Sequence, residues 1–95
     1  MATDAIDVIH NPSHSRFEAQ VEGELARLDY RLRNHVMDIH HTEVPPSLGG
    51  RGIGGKLVEA AVAHARANKL RIIASCSYAH AWMQRHPQAL DLLAT

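Results

Sequence analysis

Val44-Pro45-Pro46-Ser47-Leu48-Gly49-Gly50-Arg51-Gly52-Ile53-Gly54-Gly55-Lys56 places five glycines and two cations between a strand-like run and an alanine-rich, helix-like run. Pro45 and Pro46 donate no backbone hydrogen bond, so sheet pairing must stop there. The helix that follows starts with N–H groups that lack intrahelical acceptors and carry partial positive charge. Glycines let an anion approach that backbone without a Cβ in the way. The stretch thus predicts a strand, a phosphate cradle and a helix in succession, with a pyrophosphate as ligand.

Working toward the N-terminus, the pattern is that of strands. Val36-Met37-Asp38-Ile39-His40-His41-Thr42-Glu43-Val44 precedes the prolines, and Asn34-His35 separates it from a run in which Leu28, Tyr30 and Leu32 alternate with Asp29, Arg31 and Arg33. Gly23-Glu24 turns the chain before that. From Ser15 to Glu22, Phe17, Ala19 and Val21 alternate with polar residues, the period of a half-buried strand. Ile6-Asp7-Val8-Ile9 reads as a short first strand closed by Asn11-Pro12-Ser13. Four strands therefore precede any helix.

Toward the C-terminus, Ile53, Leu57, Ala60, Ala61 and His64 fall at helical spacing between about Gly52 and Ala67, with Asn68 as a left-handed stop. Leu70-Arg71-Ile72-Ile73-Ala74-Ser75 is an apolar strand. A strand–helix–strand crossover of this length places it parallel to the fourth strand. Ser77 is positioned to cap a second helix through about Arg85, Pro87 ends it, and Leu90, Leu92 and Leu93 form a tail that packs back. The expected fold class is α+β: a mixed, mostly antiparallel sheet with one parallel β-α-β crossover and flanking helices. Residues 1–95 are read as one domain.

Composition narrows the partners. Lys plus Arg and Asp plus Glu number 10 each, which gives no electrostatic argument for nucleic acid or a membrane. Residues 1–45 hold eight acids and four arginines, residues 46–95 two acids and six cations, so the glycine stretch lies in the positive half. The single cysteine and the absence of a long apolar run predict a reducing cytoplasm. Eight histidines raise the question of a metal, but His40-His41, His64, His80 and His86 show no ligand spacing, and none is expected.

Two familiar phosphate motifs fail on context. Gly50-Arg51-Gly52-Ile53-Gly54-Gly55 satisfies GxGxxG, yet it follows a fourth strand rather than a first and has no acid about twenty residues on. Gly50 to Lys56 begins like a Walker loop, but Leu57 stands where Ser or Thr must hold magnesium. Gly52-Ile53-Gly54 instead resembles the signature of the GNAT acetyltransferases, Gln/Arg-x-x-Gly-x-Gly/Ala at the helix after the fourth strand. From about Phe17 to Leu92 the chain is similar to the short Yjdj-type N-acetyltransferase domain, through His41-Thr42-Glu43-Val44-Pro45, the glycine loop, Cys76-Ser77-Tyr78 and His86-Pro87 in order. Gly49 departs from the signature at its Gln/Arg position.

The resemblance implies a minimal GNAT-like fold and an acetyl-CoA-dependent N-acetyltransferase. Acetyl-CoA would lie where the fourth and fifth strands part, its pantetheine arm beside Thr42 to Val44 and its pyrophosphate on the amides of Gly49, Gly50, Arg51, Gly52, Ile53, Gly54 and Gly55. Arg51 and Lys56 would be charge partners for the phosphates. A lysine-like amine costs roughly 4 to 5 kcal/mol to neutralise at neutral pH, so a base or a desolvating site must help. His41 and Glu43 share one strand face and His40 and Thr42 the other, a parity that slips if a bulge intervenes. Glu43 is the better group for attracting an ammonium. Cys76, at a strand end before a helix, is a candidate to trade protons or accept the acetyl group, with Tyr78 as the alternative proton donor. Trp82 stands where many GNAT enzymes place a tyrosine acid, and with Met83 reads as core or pocket wall.

Only Asn11-Pro12-Ser13-His14 occupies the place of two helices that typically shape the acceptor pocket. An open acceptor side follows, suited to an amine on a protein or peptide. The alternative is a non-catalytic acyl-CoA-binding or sensing module; a small interaction domain with glycines serving turns alone is a third.

Overall fold

The computed structural model describes residues 6–94. Five strands, β1 (Ile9–Asn11), β2 (Arg16–Val21), β3 (Glu24–Arg33), β4 (Val36–Glu43) and β5 (Arg71–Ala74), form one sheet in sequence order. The first four pair antiparallel, and β5 lies parallel to β4 through a crossover helix, α1 (Ile53–Ala67). A second helix, α2 (Ser77–Gln84), and a short 3-10 segment, Pro87–Leu92, complete the helical layer.

Local chemistry sets the corners. Glu22 and Gly23 both have positive φ (53° and 80°), as do Asn34 and His35 (51° and 63°), the conformation of a two-residue hairpin whose twist matches its strands. The first strand is Ile9–Asn11 rather than Ile6–Ile9, because pairing with β2 begins at the corner made by the 3-10 turn Pro12–His14 and Ser15, whose φ is 52°. That register turns His10 toward the core, where it stacks on Phe17 at 4.4 Å and its Nε2 meets the Tyr30 hydroxyl at 2.6 Å.

Helix α1 buries Ile53, Gly54, Leu57, Val58, Ala61, Val62 and Ala65, an unbroken stripe at spacings of one, three and four. The stripe covers Phe17, Ala19, Ala26, Leu28, Tyr30, Met37 and Ile39 from the sheet. Asn68 is not the left-handed stop: its φ is −105°, and Lys69 takes that conformation at 57°. The Leu70 amide then reaches the Ala65 carbonyl (2.8 Å) and the Lys69 amide the Arg66 carbonyl (3.4 Å), closing the helix end while Leu70 inserts into the core. Ser77 is likewise the first helical residue of α2 rather than its cap, which is Cys76. Trp82 and Met83 are buried, Trp82 stacking on His86 at 3.7 Å, so both belong to the core.

Both helices pack on one face of the sheet. The opposite face carries Arg16, Glu18, Arg27, Asp29, His41 and Glu43, cross-linked by ion pairs, together with Arg31 and Asp38, and no described helix lies above it. No described helix is long and apolar enough to cross a membrane.

Candidate functional site: a strand fork and a glycine-led helix start

The parallel pairing of β4 with β5 ends at Ile39 and Ala74. One further bond, from the Cys76 amide to the Ile39 carbonyl (2.9 Å), closes the crotch. Beyond it β4 runs on to Glu43 with no described strand on its β5 side, so that edge is open to an extended ligand.

A bulge sets which side chains face this fork. Tyr30 pairs with Ile39 and Asp29 with His41, so His40 is the extra residue and face alternation slips after it. Thr42 then joins Met37 and Ile39 on the helix-covered face, opposite Leu28. His41 and Glu43 go to the bare face, opposite Asp29 and Arg27. The four residues expected to serve catalysis are therefore divided. On the covered side the Cys76 thiol lies 3.5 Å from Thr42 Oγ1, and Tyr78 leans on Gly54. On the bare side His41 Nε2 lies 3.1 Å from Glu43 Oε1, with Arg27 Nη2 at 3.4 Å. The hydrogen bond from His41, helped by the Arg27 charge, holds the Glu43 carboxyl below its ordinary range. That makes Glu43 a lasting anion and a weak base.

The glycine stretch forms a hollow of about 190 Å³ lined by Val44, Leu48, Gly49, Gly50, Gly52, Ile53, Gly54 and Tyr78. Pro46–Leu48 makes a 3-10 turn that buries Leu48 as its floor, a role that single-residue reading of a loop leucine does not signal. Gly50 and Gly52 have φ of 82° and 75°, so a side chain at either would strain the turn. Helix α1 has no side-chain cap, and its first backbone bond runs from the Lys56 amide to the Gly52 carbonyl. The amides of Gly50, Gly52, Ile53, Gly54 and Gly55 consequently have no acceptor among the described residues. Gly49 differs: its amide donates to the Pro46 carbonyl at 3.1 Å, which removes it from the expected donor set.

The two cations also have partners. Arg51 makes a paired contact with Glu22 (2.8 and 3.1 Å), which lowers that carboxyl's pKa, and Ser47 hydrogen-bonds Glu24. The β2–β3 hairpin thus tethers the loop, a link that sequence separation conceals. Lys56 Nζ stands 3.8 Å from Glu59 on the exposed first turn. Gly54 and Gly55 serve packing as well: an added Cβ would meet the Tyr78 ring at 2.9 Å from Gly54, and Trp82 Nε1 at 3.4 Å from Gly55. Among the described residues no group of three or more His, Cys, Asp or Glu side chains could hold a metal ion.

A parallel strand fork beside an uncapped, glycine-led helix, on an antiparallel meander, defines an acetyltransferase-type α+β fold. The family described as GCN5-related N-acetyl-transferase matches residues 16–92, and the chain belongs to it. Among curated relatives, protein NATD1 of Bos taurus is 31% identical over 85 residues, covering 86% of this chain and 75% of its own length. The Gallus gallus NATD1 is 29% identical over 85 residues, covering 86% and 77%. The NMR solution structure of a GCN5-like protein from Staphylococcus aureus superposes with a TM-score of 0.74 at 34% identity, covering 96% of this chain and 90% of that one.

Proposed function

We propose that the protein is an acetyl-CoA-dependent N-acetyltransferase that moves the acetyl group from the CoA thioester to an amine by direct transfer. The observation that carries this is the set of unpartnered amides at Gly50, Gly52, Ile53 and Gly54, residues that line a hollow beside Val44 at the end of β4. The family supplies the acetyl donor class, and the open edge of β4 suits the pantetheine arm.

In this reading the pyrophosphate takes the helix-start amides, and Tyr78, lining the same hollow, supplies a hydroxyl to it. Arg51 turns from Glu22 to the phosphates. The thioester lies along the fork near Thr42 and Cys76, where the Cys76 thiol or a water protonates the departing thiolate. The amine arrives from the bare face, drawn by the fixed charge of Glu43, and its nitrogen attacks the acetyl carbon. Calorimetric titration tests the donor half: CoA and acetyl-CoA should bind with 1:1 stoichiometry and raise the melting temperature. No heat and no thermal shift at millimolar ligand would end the reading.

The division of the catalytic candidates between two faces favours a second reading, a module that binds acyl-CoA without turning it over. Labelled acetyl-CoA with a panel of peptide and small amines separates the two. Label retained on the thioester across the panel, with binding intact, would select the sensor. Full turnover by Cys76→Ala would assign the proton to water or Tyr78.

A further inference from the structure

The bare sheet face holds a hollow of about 340 Å³ between the β3–β4 hairpin end and the fork, lined by Arg31, Arg33, Asn34, Val36, Asp38 and Ile73. Its polar groups are unsatisfied in a complementary way. The Oδ1 of Asp38 is buried and has no hydrogen-bond partner among the described residues. Such an oxygen costs stability unless something donates to it. Arg31 and Arg33 form no ion pair among the described residues, whereas Arg16, Arg27, Arg51 and Arg66 each hold a carboxylate. Val36 and Ile73 supply an apolar floor, with Ile73 41% exposed in a position where a strand isoleucine is ordinarily covered.

The charges are ordered along the strands. Arg33 pairs with Val36, and Arg31 with Asp38, while Asp38 lies opposite Ile73, one residue pair before the fork at Ile39 and Ala74. Arg31 and Asp38 are cross-strand partners on one face, so the hollow presents a guanidinium beside a carboxylate close to the fork, with Arg33 and the Asn34 amide further out. A ligand that satisfies it carries a carboxylate and an ammonium close together, with a short aliphatic body over Val36 and Ile73.

We infer that this hollow binds a small amino-carboxylate, its carboxylate gripped by Arg31 and Arg33 and its ammonium donating to Asp38. The inference rests on the N-acetyltransferase reading in one respect, since it makes that ligand the acetyl acceptor. The nitrogen bonds to the acetyl carbon and the C–S bond of the thioester breaks. Of the two protons the ammonium loses, one goes to the departing thiolate and one through Asp38 to water.

Binding can be tested without CoA, which keeps the two readings separable. The whole chain is titrated by NMR with alanine and leucine, with propionate as the matched carboxylate and with propylamine as the matched amine. The amino acids should shift Arg31, Asp38 and Ile73 amides saturably in the millimolar range, with propionate about ten-fold weaker and propylamine weaker still. Arg31→Gln with Arg33→Gln should weaken the amino acids about ten-fold or more, and Asp38→Asn should erase the preference for amino acid over propionate. The melting curve of each variant confirms folding. Absent saturation, shifts confined to other sites, or unchanged affinity in the double arginine variant would overturn the inference while leaving CoA binding untouched. If the amino acids bind but labelled acetyl-CoA never yields their N-acetyl products, the acceptor assignment falls.

Discussion

The two faces of the sheet are made from the same strands by simple alternation, yet they do opposite things. On one, Phe17, Ala19, Ala26, Leu28, Met37 and Ile39 are sealed under α1 and α2. On the other, the intervening Arg16, Glu18, Arg27 and Asp29 stay beside water, held in pairs of modest energy. The covered face fixes the fold and aims the helix start at the fork. The bare face, held by exposed ion pairs, should contribute little to stability. Truncation tests that separation most severely. Leu28→Ala and Met37→Ala should each cost about 2–5 kcal/mol in denaturant melts, a large share of the whole stability of a domain this size. Arg27→Ala, beside Leu28 in β3 but on the other face, should cost about 1 kcal/mol or less. Equal losses would show that the bare face is structural after all.

A second test asks whether the helix start on the covered face is where CoA binds. Gly54→Asp places a carboxylate among the helix-start amides and should weaken CoA binding about a hundred-fold by calorimetry. The same substitution drives a Cβ into the Tyr78 ring at 2.9 Å, so the clash must be separated from the charge. Gly54→Ala in a Tyr78→Ala background removes the clash and adds no charge; it should retain affinity within about ten-fold. If that neutral pair loses as much as Gly54→Asp, packing rather than anion repulsion governs the site.

Much of the covered face was legible from sequence because it depends on local periodicity: alternation gave β2 to β4, the stripe from Ile53 gave α1, and the tandem prolines marked where pairing stops. The glycine loop was legible as a turn into a helix start because residues without Cβ take the positive φ seen at Gly50 and Gly52. What was hidden depends on register. The bulge at His40 is a single extra residue that shows only in the pairing of β4 with β3, and it decides that Thr42 rather than His41 faces Cys76. The contacts of Arg51 with Glu22 and of Ser47 with Glu24 join residues more than twenty positions apart. The exchange of roles between Asn68 and Lys69 turns on which residue completes the last turn of α1, a choice that propensity leaves open.

Acid offers a smaller probe of the covered face. His10 is held between Phe17, the Tyr30 hydroxyl and the His64 ring at 4.3 Å. Burial, with the nearby His64 adding to it, lowers its pKa from the ordinary 6.5. The unfolded chain therefore takes up this proton at a higher pH than the folded one, and between the two values stability rises with pH. On acidification the melting temperature should begin to drop near pH 6.5 and continue to drop until the folded form also protonates. His10→Phe keeps the stack and removes the titration, so its melting temperature should fall less steeply between pH 7.5 and 5.5. A parallel slope would mean that other histidines carry the acid response.

The smallest effect is expected on the bare face, and it bears on how the two faces cooperate. Glu43 is anionic well into acid because His41 donates to it and Arg27 stands beside it, and the bulge separates it from Cys76 and Thr42. A group so placed draws a cation toward the fork but has little tendency to take its proton. Glu43→Gln keeps the shape and deletes the charge. It should raise KM for a cationic amine a few-fold, leave kcat nearly unchanged, and leave the basic limb of the pH profile of kcat/KM in place. The KM change should shrink as salt is raised, since the attraction acts through solvent. A collapse of kcat with KM unaltered, or loss of a pH limb, would make Glu43 the base. The bulge would then have brought the bare face into the chemistry instead of leaving it to gather the acceptor.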